Sequence, residues 1–329
     1  MSSMRSTIEW LLENNQPSIR YQTLTSLLDR SANDDQVRKT HSEIAKRGWA
    51  KDILDEQLPG IRVGNTWQYQ GYWHNYTLLN RPKYISTVWK FLVLIDLGLT
   101  AKNHHVRNTC ELLSDRYLKR KENYHLCMTA NISRALIHAG YDEHDRIRPA
   151  LDWLISQQKE DGGWHCFESS KGTLDCWEPL SAFSVLPKSR WNRRMKKSVE
   201  RGSEFYLERK LFREGSQKYA AWFRFHYPVH YYYDLLVGLE VLSSLGYGKD
   251  PRMKFALDFL RKRQRSDGRW IIDAVHPDIS KDLPETSYSS VPPYEPFPAI
   301  PFRLEKVGKP SKIITLRALQ VLKRVEESC

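Results

Sequence analysis

The sequence predicts an all-α fold: an (α/α)6 toroid, a barrel of six helix pairs with an inner ring inside an outer one. Three observations predict it. Apolar residues recur at helical spacing along most of the chain, and nothing alternates like a strand over a useful length. Charged, amphipathic segments, such as the one holding Lys254, Asp258 and Arg261, are followed by segments apolar nearly all round. Examples of the latter are Phe91-Leu92-Val93-Leu94-Ile95 and Leu235-Leu236-Val237-Gly238-Leu239. Helices apolar all round are buried, which places them inside. Finally, Gln158-x-x-x-Gly162-x-Trp164 returns as Gln264, Gly268 and Trp270 about 106 residues later, which fits two repeats of roughly 53. Such a period marks one supersecondary unit used several times.

In chain order, the first pair is Ser6–Leu12 and Pro17–Leu28. The second is Asp35–Arg47 and, after a long aromatic loop, Pro82–Leu99. His104–Leu118 and Tyr124–Ala139 make the third, Asp145–Ser156 and Thr173–Leu186 the fourth. Arg194–Lys210 and Pro228–Leu245 follow, then Asp250–Arg263 and, after another long loop, Pro310–Arg324. Pro17, Pro82, Pro228 and Pro310 suit first helical positions, where a missing N–H costs nothing. Gly98, Gly140 and Gly246 suit helix ends. Pro179 either opens a fifth inner helix or sits in the first turns of one begun at Thr173. The inner helices run the same way, so their N-termini and partial positive charges gather at one mouth. The loops 58–81 and 271–309 feed into that mouth, the second as a candidate lid, and residues 1–329 form a single domain.

In each motif copy a helix ends near the Gln, the Gly supplies positive φ, and the Trp closes over the turn. The Gln amide satisfies backbone groups at the helix end. This pattern resembles the repeat of the terpenoid cyclase and protein prenyltransferase α/α toroid superfamily. The resemblance implies the toroid fold and a central chamber. In that family the motif stabilises the barrel and catalyses nothing. Class II cyclases of the family protonate substrate with an Asp-x-Asp-Asp motif, which is absent here, since Asp34-Asp35 precedes an outer helix. The zinc of protein prenyltransferases is held by an Asp-x-Cys pair and a distant His. Here Asp175 and Cys176 are adjacent, with His230 as third ligand, so the spacing departs from the family's and no cofactor is expected.

Composition narrows the classes. With 40% apolar and 12% aromatic residues, the chain can bury a sizeable core. No apolar run reaches transmembrane length, and Met1 to Glu13 lack a signal-type apolar core. Five cysteines (Cys110, Cys127, Cys166, Cys176, Cys329) without a Cys-x-x-Cys pair point to a reducing, cytoplasmic setting. The net charge of +12 suits phosphates, peripheral contact with anionic lipid, or nucleic acid. The basic run from Arg190 to Arg201 reads as a solvated helix face. No RNA-binding or zinc-finger motif occurs, so no specific nucleic-acid partner is expected.

Polar residues on apolar inner helices are the candidates for chemistry. His230 and Asp234, spaced i, i+4, make a general base or a structural bridge. Asp175 and Glu178, beside Trp177 at a helix start, make a proton donor of raised pKa or a helix cap. Arg20, Lys90, Lys312 and Arg317 need buried partners or hold a substrate anion. Tyr84, Trp177, Tyr232, Trp73 and His74 complete the set expected to hold substrate. Together they suggest an aromatic chamber for an isoprenoid-like or other elongated apolar ligand, with acid/base chemistry. The alternatives are a carbohydrate-active (α/α)6 hydrolase or lyase, and a non-catalytic binding or scaffold protein that lost the cyclase acid.

Overall fold

Thirteen α-helices and one short hairpin are built from the described residues. The computed structural model describes the chain except for residues 1, 65, 69, 74–78, 81–85, 214–218, 231, 276–303 and 328–329. In order come α1 (Ser2–Leu11), α2 (Pro17–Gln22), α3 (Asp35–Glu43), α4 (Trp49–Asp55), β1 (Ile61–Val63) and β2 (Thr66–Gln68). Then follow α5 (Thr87–Asp96), α6 (His104–Leu113), α7 (Leu126–Leu136), α8 (Ile147–Ser156) and α9 (Glu178–Ser184). The last four are α10 (Arg193–Glu208), α11 (Leu235–Leu245), α12 (Lys254–Lys262) and α13 (Lys312–Glu327). No helix of the described residues is long and apolar enough to cross a membrane.

The apolar and charged segments sort as their composition requires. Helix α5 packs on α7, α7 on α9, α9 on α11 and α11 on α13, and α13 returns to α2. These helices also carry their charged neighbours: α3 lies on α2, α6 on α5, α8 on α7, α10 on α9 and α12 on α11. Phe91 through Ile95 are all buried, and one apolar cluster runs from Leu11 to Val321. The chain's two ends are tied by polar contacts. Lys312 Nζ pairs with Glu13 at 2.7 Å, and Gln320 donates to Ser26 at 2.7 Å.

Both motif copies fold alike. Trp164 and Trp270 are fully buried. Their indole N–H groups donate back to the preceding helix, to the Leu154 carbonyl at 2.9 Å and the Leu260 carbonyl at 2.8 Å. Gln158 donates to the Gly162 carbonyl at 2.7 Å, and Gln264 to the Gly268 carbonyl at 3.1 Å. Gly162 has φ +89, and a Cβ there would stand 2.4 Å from the Arg201 carbonyl oxygen, so no other residue fits. The Gln158 amide also reaches the Ser198 carbonyl at 2.8 Å, stapling α8 to α10. Gln158→Ala strands these acceptors and is expected to cost about 1–3 kcal/mol in chemical denaturation.

Four elements differ from the sequence expectation. The 58–81 segment holds a strand pair, with Ile61 opposite Gln68, too short for alternation to register. Helix α4 follows a glycine with φ +74, a start that capping rules for Ser, Thr, Asp and Asn do not flag. Helix α9 begins at Glu178 rather than Thr173, with Pro179 in its first turn. Helix α11 begins at Leu235 rather than Pro228, which follows a cis peptide bond. Asp34 is the N-cap of α3, accepting from Gln36 N at 2.8 Å. Much of the 271–309 segment, as well as Pro82, lies outside the described residues.

Candidate functional site

The leading ends of three buried helices meet at a cavity of about 630 Å³. Glu178 opens α9 there, Leu126 opens α7, and Trp89 lies in the first turn of α5. Tyr232 and Tyr233 enter from the segment just before α11. The wall is rich in rings because Ala220–Phe223 forms a short helical turn that carries Trp222 to it. Trp222 and Tyr233 are buried and meet edge to face at 6.0 Å. Phe167 and Tyr219 stand at its edge, exposed by 79% and 59%.

Glu178 is the exceptional polar group of this wall. It is 1% exposed, and among the described residues neither carboxyl oxygen has a hydrogen-bond partner. Burial, seconded by the nearby Cys166 sulfur, pushes its carboxyl well above the usual carboxylate range. Burial therefore favours its neutral, protonated form. Asp175, expected to share this role, is exposed, and its carboxylate accepts from the Trp222 indole at 2.8 Å. It orients that ring on the cavity wall.

The His230–Asp234 pair is not formed as expected. Those positions share a helix face only inside a helix, and α11 starts after both of them. Asp234 is its N-cap, accepting from Val237 N at 2.9 Å. Its other oxygen accepts from His226 N at 3.1 Å and His226 Nδ1 at 2.7 Å. The imidazole that Asp234 holds is thus His226, with the proton on Nδ1. Burial pushes the Asp234 carboxyl up, but the His226 contacts, Arg317 and the cap outweigh it and leave it below its ordinary value. His230 has φ +50 and lies edge-on to Trp89 at 5.0 Å, with its carbonyl accepting from Asn131 at 3.1 Å. Burial and the neighbouring His226 lower its imidazole to about 3, so it is neutral near pH 7.

The expected anion clamp is likewise dispersed into partners. Arg20 donates to the Leu12 carbonyl at the end of α1. Lys90 pairs with Glu56, and Lys312 with Glu13 and Asn15. Arg317 pairs with Glu240 at 2.7 Å. These cations hold neighbouring elements together, as buried charge requires. Trp73 is buried and donates to the Ile53 carbonyl at 2.7 Å, a packing role. Tyr84 and His74 lie outside the described residues. Tyr232 does line the Glu178 cavity. Trp177 instead lines a second cavity, of about 490 Å³, at the trailing ends of α5, α7 and α9, beside Arg134 and Arg317.

No group of three His, Cys, Asp or Glu side chains among the described residues is arranged to hold a metal, so Asp175, Cys176 and His230 do not form the ligand set considered above. Sequence reasoning passed over Trp222, His226, Cys127 and Cys166. Cys127 and Cys166 line the Glu178 cavity with Cys176, although their spacing matches no local motif. His226 precedes its partner Asp234 by a stretch that is not helical, so periodicity gave no sign of it.

No family model matches the chain, and no curated protein matches it. Among solved structures, a protein from Actinoplanes is similar over 99% of this chain and 99% of its own, at 14% identity and a TM-score of 0.46. The type II terpene cyclase MstE from Scytonema, in its apo form, is similar over 98% of this chain and 97% of its own, at 12% identity and a TM-score of 0.47.

Proposed function

We propose that this chain is an (α/α)6 toroid whose Glu178 cavity takes an isoprenoid-like or other elongated apolar substrate and acts on it by acid/base chemistry. The return of α13 to α2 supports closure of the ring. The observation that carries the chemical reading is Glu178, buried in the wall of an aromatic cavity, without a hydrogen-bond partner among the described residues and with its carboxyl pushed well above the usual range. A carboxyl group kept neutral at pH 7 is a proton donor. Its Oε proton adds to an electron-rich carbon of the substrate, and the resulting cation faces the rings of Trp89, Tyr232 and Tyr233. The chain has no Asp-x-Asp-Asp motif, so the acid of the class II cyclases is not carried over to it.

The test is a fluorescence titration, because Trp89 and Trp222 report occupancy of the cavity directly. Geranylgeraniol is expected to quench the tryptophan emission saturably, and xylohexaose to leave it unchanged. Quenching by the oligosaccharide instead would move the chain to the carbohydrate-active class, and response to neither probe would remove the ligand reading.

A further inference from the structure

We propose that Cys166 and Cys176 form a covalent modification site, a dithiol that takes a low-molecular-weight disulfide and closes to an internal bridge. The loop between the first motif and α9 builds it. Thr173 N donates to the Trp164 carbonyl at 2.9 Å, folding residues 164–173 back on themselves. Asp161 pins both arms, accepting from Gly163 N at 3.2 Å and Gly172 N at 3.1 Å. The arms approach so closely that a Cβ on Gly172 would lie 2.5 Å from Gly163 Cα. This fold returns the chain so that Cys176 Sγ donates to Cys166 Sγ at 3.4 Å.

The two thiols are unequal, as thiol–disulfide exchange requires. Cys166 is exposed and Cys176 is buried. Donation from Cys127 and then from Cys176 holds the Cys166 thiol far below its ordinary range, which makes it the attacking thiolate. Hydrogen bonding to Cys166 and burial push Cys176 the other way. Cys110 provides an internal control: it is buried, and burial pushes its thiol up to about 12.

The chemistry balances in two exchanges. The Cys166 thiolate attacks one sulfur of a disulfide R–S–S–R, the S–S bond breaks, and R–S⁻ leaves. Cys176 then gives up its proton and attacks the Cys166 sulfur, forming the Cys166–Cys176 bond and releasing the second R–S⁻. Two protein thiols are oxidised, the small disulfide is reduced to two thiols, and the protons end on those thiols. The bridge locks the loop at the leading end of α9, beside Glu178. The inference holds whatever the cavity binds.

The experiment treats the full chain with oxidised glutathione and reads intact mass and a peptide map. Wild type is expected to lose two hydrogens, with Cys166 joined to Cys176. Cys176→Ser is expected to stall as a glutathione adduct on Cys166, while Cys127→Ser still closes the bridge. Wild type left as free thiols, a bridge mapped to Cys127, or adducts forming first on Cys110 would each overturn the assignment.

Discussion

Asp234→Asn is expected to lower the stability of the protein by about 1–3 kcal/mol, the usual cost of leaving a buried donor without its acceptor. Asp234 is fully buried. Its two oxygens bind the first turn of α11 and the backbone and ring of His226. Asparagine keeps the shape but puts an amide N–H where one oxygen accepted, facing either Val237 N or the two His226 donors. One of those donors stays buried without an acceptor. The pH dependence has a defined sign. The folded carboxyl titrates below its ordinary value of 3.8, so its stabilisation is complete above that pH and is lost as pH falls through the lowered value. Urea unfolding of wild type and variant across the acid range checks both points. A variant as stable as wild type would free Asp234 for a role in turnover, the reading its sequence position first suggests.

Glu178→Gln is expected to abolish chemistry while leaving the cavity occupied. The amide matches the acid in size but cannot donate a proton to carbon, and loss of a general acid typically costs about 10²–10⁴-fold in rate. Geranylgeraniol binding should persist, which separates loss of the acid from loss of the site. Stability moves in a direction that no simple packing defect gives. The folded carboxyl titrates above the ordinary 4.5, so the wild-type protein is favoured below that pH and loses ground as pH rises through the raised value. Glutamine does not titrate, so the stability difference should shift in the variant's favour as pH increases. A constant difference at every pH would mean that Glu178 ionises freely in the folded state.

The buried helices were readable because their apolar character is a local property. Phe91 to Ile95 and Leu235 to Leu239 announce burial on every face, and the structure buries them. Gln158, Gly162 and Trp164 were equally legible, since each acts within its own turn or on the helix just before it. The site was only partly legible. Glu178 is visible as a carboxylate at a helix start, but its lack of partners among the described residues depends on what α7 and the segment before α11 bring against it. Asp234 stands out as polar among apolar residues, but helical spacing points to His230, whereas the helix starts only at Leu235 and the partner is His226. The cations Arg20, Lys90 and Lys312 find partners on segments that nothing in local spacing links to them.

The proposed chemistry requires Glu178 to carry its proton at neutral pH inside the cavity wall. Infrared difference spectroscopy of wild type against Glu178→Gln at pH 7 reads this directly. Wild type is expected to show the carbonyl stretch of a protonated carboxylic acid, and the variant to lack it. An ionised-carboxylate band at that position instead would contradict it.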